Sequence, residues 1–145
     1  MSKYALITGA SRGIGKAAAL LFAARGYHVF LNCRNSADAL EEVRREILST
    51  GGSCDMVTGD VGDSADVDKI FSFIYGRCSC LDVLVNNFGE SNPRKDLDIT
   101  KCTYKEFEKT VCVDLSTVFN ACQQALNKAM LKQHSGSIIN IGSHN

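Results

Sequence analysis

Lys3-Tyr4-Ala5-Leu6-Ile7-Thr8-Gly9-Ala10-Ser11-Arg12-Gly13-Ile14-Gly15 is the stretch from which the rest of the chain is read. The apolar run Tyr4 to Ile7 has the character of a parallel strand buried on both faces. Three glycines follow at once, spaced Thr-Gly-x-x-x-Gly-x-Gly, and a helical pattern then opens with Ile14, Ala17, Ala18, Leu21 and Phe22 on one face. A strand, a glycine-rich turn and a helix start together make an anion site. Glycines let backbone approach a pyrophosphate, and the unpaired N–H groups and the helix dipole favour its charge. The other reading, an ordinary tight strand-to-helix turn, is weaker here because both flanking elements are legible. The stretch is therefore read as dinucleotide-binding.

Downstream the same alternation continues. Tyr27 to Asn32 is a second strand, after a helix that ends near Gly26. His28, at its start, is expected to be an exposed loop histidine. Leu40, Val43 and Ile47 mark a second helix closed by Gly51-Gly52. A third strand runs from about Ser53 to Thr58. Asp63 to Asp66 caps a third helix carrying Val67, Ile70, Phe71 and Ile74, and Asp82 to Asn86 is the fourth strand. Gly89 to Lys101, with the sole proline Pro93, is expected to be a loop. Thr103 to Glu106 has the form of a capping box. The helix it opens carries Phe107, Val111, Leu115, Val118, Phe119, Cys122 and Leu126 and runs to about Lys132. Gly136 to Gly142 is the fifth strand. This βαβαβαβαβ order predicts an α/β fold, a doubly wound parallel Rossmann-type sheet of five strands in the order 3-2-1-4-5. Its ligand lies at the carboxyl ends of strands one and four.

At 145 residues the chain is expected to be a single domain, 1–145, and its zero formal net charge gives no electrostatic reason for a nucleic-acid or membrane partner. No apolar run is long enough for a transmembrane helix, and no signal peptide is apparent. A cytoplasmic protein is expected. The seven cysteines include no Cys-x-x-Cys pair, so no metal site is expected. Most are read as reduced thiols serving as small apolar side chains.

The motif Thr8 to Gly15 resembles the cofactor motif of the short-chain dehydrogenases/reductases. That resemblance implies that Gly9, Ser11, Arg12, Gly13, Ile14 and Gly15 hold a nicotinamide dinucleotide. Arg34 ends the second strand where a carboxylate would take the ribose hydroxyls of NAD. A basic residue there, aided by Arg12, suits the 2′-phosphate of NADP, so NADP is expected over NAD; the alternative is that Arg34 only begins a solvated helix. Asp60-Val61 resembles the family's pair beside the adenine ring. Asn86-Asn87-Phe88-Gly89 looks like its Asn-Asn-Ala-Gly, in which Asn86 would stitch strands while Asn87 and Gly89 lie along the adenosine. Phe88 departs from the pattern: either the pocket is remodelled or the ring points outward. With Ser91, Asn92 and Asp96, this segment also echoes a bacterial branch of hydroxysteroid dehydrogenases.

Val113-Asp114-Leu115 falls where the family has Val-Asn-Leu, whose asparagine holds a water in a proton relay. An ionised Asp114 accepts hydrogen bonds but cannot donate, and it could equally face solvent. Ile139 to Ser143 resembles the strand ending that carries the catalytic serine, here Ser143. No Tyr-x-x-x-Lys, the family's acid and ribose-gripping lysine, follows Ser143. The resemblance thus spans this whole chain but only the first part of a family member. The expected activity is oxidoreduction of a ketone or secondary alcohol, such as a 3-oxoacyl thioester or a steroid, in a homo-oligomer. A non-catalytic nucleotide-binding protein and an incomplete gene product are the alternatives.

Overall fold

The computed structural model describes residues 2–89 and 99–142. Five parallel strands, β1 (Lys3–Ile7), β2 (Tyr27–Cys33), β3 (Ser53–Thr58), β4 (Val83–Asn86) and β5 (Ser137–Asn140), stand in the order β3-β2-β1-β4-β5. The expected sheet order is therefore correct. The connecting helices are α1 (Gly13–Ala24), α2 (Ala37–Ser49), α3 (Ser64–Tyr75) and α4 (Tyr104–Ala125). Beyond Ala125 the last helix passes through a π-helical turn, Leu126–Met130, and one more turn, Leu131–Gln133. The loop expected from Gly89 to Lys101 lies mostly outside the described residues.

Alternation along β1 divides the core in two. Ala5 and Ile7 pack with Val29, Leu31, Ala19, Leu40, Val43 and Ile47 on the face covered by α1 and α2. Leu6 packs with Phe30, Leu84, Val67, Phe71 and Ala121 on the face covered by α3 and α4. Strands covered on both sides must be apolar throughout, which is why β1 and β4 read as continuous hydrophobic runs. Local chemistry sets the helix starts. Asp63 accepts from the N–H groups of Ala65 and Asp66 at 2.9 and 3.0 Å. Thr103 and Glu106 form the anticipated reciprocal box. The Asp60 N–H and Lys69 both hydrogen-bond Asp66, and together they hold its carboxyl below the usual range.

One helix face differs from expectation, and a second helix resolves into a small-residue inner side and a large-residue outer side. The sheet side of α1 is Gly15, Ala19 and Ala23, whereas Ile14 and Leu21 are 62% and 56% exposed. In α4, Thr117, Ala121 and Ala125 face the sheet, while Phe107, Leu115 and Phe119 point outward. In both helices small residues let the backbone sit close to the sheet, and the large apolar residues occupy the other side. His28 also differs. It lies within β2, half-buried, with Nε2 3.2 Å from Asp55 Oδ2 and its ring against Tyr4 and Phe30. Among the cysteines only Cys33, Cys54 and Cys78 are buried, and Cys112 is exposed, so fewer serve as core residues than expected.

The α1 assignment can be tested by urea unfolding. Ala19 is fully buried, so Ala19→Leu is expected to overpack the interface and cost about 1–3 kcal/mol. Leu21→Gln, on the exposed side, is expected to stay within about 0.5 kcal/mol of the original. Equal losses would mean that the helix presents its larger side chains inward.

Candidate functional site

Where β1 ends, the chain turns sharply through Gly9 (φ 63°) and Gly13 (φ 54°), conformations that a side chain resists. The turn is held from the far side by residues that follow β4. Thr8 Oγ1 donates to the Val85 carbonyl at 3.3 Å and accepts from the N–H groups of Asn87 and Phe88 at 3.0 and 3.2 Å. Asn87 Nδ2 returns the contact, donating to the carbonyls of Thr8 and Gly9 at 3.3 and 3.2 Å. Gly15 seats the first turn of α1 against this knot. A Cβ there would run into the Gly9 carbonyl, with its carbon only 2.8 Å away. The α1 start carries no side-chain cap and no acidic residue in its first turn, which leaves its N-terminal N–H groups and dipole to favour an anion.

Above the turn lies a cleft of ≈ 420 Å³. The glycine turn supplies Gly9, Ser11 and Arg12 to its wall; the segment after β2 supplies Cys33, Arg34, Asn35 and Ser36; the end of β4 supplies Asn87, Phe88 and Gly89. It sits at the carboxyl ends of β1, β2 and β4, where an open α/β sheet presents its ligand crevice. Arg12 Nη2 lies 3.4 Å from Ser36 Oγ. Arg34 Nη1 lies 3.7 Å from Asp60 Oδ2, and its guanidinium carbon is 5.4 Å from the centre of the Phe88 ring. The Phe88 ring therefore points into the cleft region, against Arg34, and the pocket is remodelled relative to an alanine at that place. Burial pushes the Cys33 thiol up, against the opposing pull of a Ser36 backbone hydrogen bond and the Arg12 charge. Cys33 is thus a wall residue at which burial disfavours the thiolate.

Of the residues singled out from sequence, Gly9, Ser11, Arg12, Arg34, Asn87 and Gly89 meet in this cleft. Gly13, Ile14 and Gly15 form the helix start behind it, with Ile14 exposed. Asp60 reaches the cleft through Arg34; its other carboxylate oxygen accepts from the Gly62 N–H at 2.8 Å. The Val61 side chain does not line the cleft; it is 2% exposed and packed in the core under α3 and α4, leaving only its backbone to face a ligand. Asp114 is half-buried and stands beside Gly89, its Oδ1 3.9 Å from where a Cβ on that glycine would lie. Asn86 does stitch strands: its Nδ2 donates to Asn140 Oδ1 of β5 at 2.9 Å. Ser143 lies outside the described residues. Sequence reasoning missed Thr8 as the centre of the knot; the only available sign was its place immediately before Gly9.

A family model described as short chain dehydrogenase matches residues 3–145. The chain is 39% identical over 142 residues to a 3-oxoacyl-(acyl-carrier-protein) reductase of Synechocystis sp., covering 98% of this chain and 56% of that one. It is 37% identical over 143 residues to the 3-oxoacyl-(acyl-carrier-protein) reductase FabG of Staphylococcus aureus, again covering 56% of the relative. The chain thus spans little more than half the length of these curated relatives. Among solved structures, YwfH, an NADPH dependent reductase involved in bacilysin biosynthesis, superposes with a TM-score of 0.90 at 30% identity, covering 100% of this chain and 60% of the other. An actinorhodin polyketide ketoreductase with NADPH gives 0.89 at 29% identity, covering 98% and 53%.

Replacing Thr8 by valine keeps the shape but leaves the N–H groups of Asn87 and Phe88 without their acceptor. A loss of about 1–3 kcal/mol is expected in urea unfolding, and Thr8→Ser, which keeps the hydroxyl, is expected to recover most of it. A valine variant as stable as the original would show that the knot does not hold the turn.

Proposed function

The chain belongs to the short chain dehydrogenase family, and from that premise we propose that it is the cofactor-binding part of an NADP-dependent oxidoreductase acting on a ketone or secondary alcohol. One observation carries the NADP reading. Two guanidinium groups, Arg12 and Arg34, line the cleft above the glycine turn, and Arg34 occupies the end of β2, where an acidic residue would favour NAD. A dinucleotide fits the residues present. The uncapped start of α1 and the glycine turn suit a pyrophosphate, and a Cβ at Gly15 would fill the space the turn needs.

In this reading Gly9, Ser11, Gly13, Ile14 and Gly15 hold the pyrophosphate side. Asn87, Gly89, Asp60 and the Val61 backbone border the adenosine, and Arg12 and Arg34 receive the 2′-phosphate. When bound, the nicotinamide supplies the reducing equivalent that a carbonyl carbon accepts. Ser143 donates a hydrogen bond to the substrate oxygen and steadies it as charge develops there. The Asp114 carboxylate, beside Gly89, accepts hydrogen bonds from water at the same end of the sheet. The similarity to two 3-oxoacyl-(acyl-carrier-protein) reductases makes a 3-oxoacyl thioester the first substrate to test. Residues 1–145 act as one unit in a cytoplasmic homo-oligomer. The outward Phe107, Leu115 and Phe119 of α4 support the assembly, being a large apolar face on one helix.

Calorimetric titration with NADPH and NADH tests the cofactor assignment. The chain is expected to prefer NADPH, and Arg34→Asp is expected to reverse that preference. The charge-assisted contact removed contributes about 1.5–3 kcal/mol. Unchanged selectivity in Arg34→Asp would overturn the assignment.

A further inference from the structure

We propose that Phe88 is a specificity-positioning residue, whose ring holds the Arg34 guanidinium at the cleft mouth in readiness for a nucleotide 2′-phosphate. The proposal rests on the NADP reading above and adds a residue from the opposite side of the cleft. β2 and β4 are not neighbours; β1 lies between them. With strands about 4.8 Å apart, the Arg34 side chain must reach across the end of β1 to meet a residue that follows β4. It does so, and its guanidinium carbon stops 5.4 Å from the Phe88 ring centre, inside the range of a cation–π contact.

Asp60 and Phe88 both meet Arg34, and they act differently. Asp60, 3.7 Å away, supplies a full negative charge and so competes with an incoming phosphate. The Phe88 ring attracts the cation through its quadrupole and brings no net charge, so the ring itself does not compete with an anion for Arg34. The ring is itself a fixed platform. Its backbone N–H donates to Thr8 Oγ1 at 3.2 Å, and its side chain packs at the edge of the core under α3 and α4. A long arginine pinned in this way loses less rotamer freedom when the phosphate arrives, which is the gain from preorganisation. An alanine at position 88 offers no such face.

The ligand fragments adenosine 2′,5′-bisphosphate and adenosine 5′-monophosphate isolate the effect, because they differ only in the 2′-phosphate. Their affinities would be measured by calorimetry on the original chain and on Phe88→Leu, Phe88→Tyr, Arg34→Ala and the double variant Arg34→Ala/Phe88→Leu. Phe88→Leu keeps an apolar side chain but no π face, and its preference for the bisphosphate is expected to fall roughly two- to fivefold. Phe88→Tyr is expected to retain the preference. In the Arg34→Ala background Phe88→Leu is expected to change nothing further, an outcome that a merely structural role would not give. Circular dichroism melting checks each fold, and Phe88→Met serves if the leucine variant unfolds. An undiminished preference in Phe88→Leu, or an equal loss with and without Arg34, would overturn the proposal and leave the NADP reading standing. If the original chain fails to prefer the bisphosphate, the NADP reading falls and the role of Phe88 falls with it.

Discussion

A single hydroxyl joins the two halves of this molecule's site. Thr8 Oγ1 is buried, donates once and accepts twice, and all its partners lie at the end of β4 or just beyond it. Asn87 answers with two hydrogen bonds to the carbonyls of the glycine turn. Backbone groups buried at a strand end must find partners, and here each side of the turn satisfies the other. The position of Gly15 follows from the same knot, because the helix start can approach only while no Cβ stands between it and Gly9. Loosening that knot would move the cleft wall and the start of α1 together.

Sheet order then decides which chemistry meets at the knot. β1 is flanked by β2 and β4, so its turn receives Arg34 from one neighbour and Asn87, Phe88 and Gly89 from the other. The outer strands contribute less directly. β3 brings Asp60 against Arg34, and β5 is tied to β4 through Asn86 and Asn140. Asp114, carried by α4, stands beside Gly89, so the helix that covers one face of the sheet also borders the mouth of the site. These placements serve the fold and the cleft alike, since the same strand ends provide both.

Much of this was legible in the sequence, for identifiable reasons. Buried parallel strands are continuously apolar, and α2 and α3 have one apolar face each, so Leu40, Val43, Ile47, Val67, Ile70, Phe71 and Ile74 were placed correctly in the core. Helix α1 misled because it has apolar residues on more than one side, and in α4 the two apolar sides did not say which the sheet takes. Periodicity marks a stripe of large side chains but cannot say that alanines and glycine are what the sheet accepts. The glycine turn and its flanking elements announced the cleft. The role of Thr8 and the meeting of Arg34 with Phe88 did not show. The Thr8 and Asn87 pair is 79 positions apart, and nothing local in either segment records it.

The most direct test of the account follows backbone amide resonances during titration with NADPH. The account predicts the largest shifts at Gly9, Ser11, Gly13, Gly15, Arg34, Asn87 and Gly89, with the titration saturating. It predicts little change at the N-terminal ends of β2 and β3, around His28 and Ser53. Shifts centred on those strand starts or on the outward face of α4, or none at millimolar NADPH, would contradict the claim that the Thr8 knot builds a dinucleotide site.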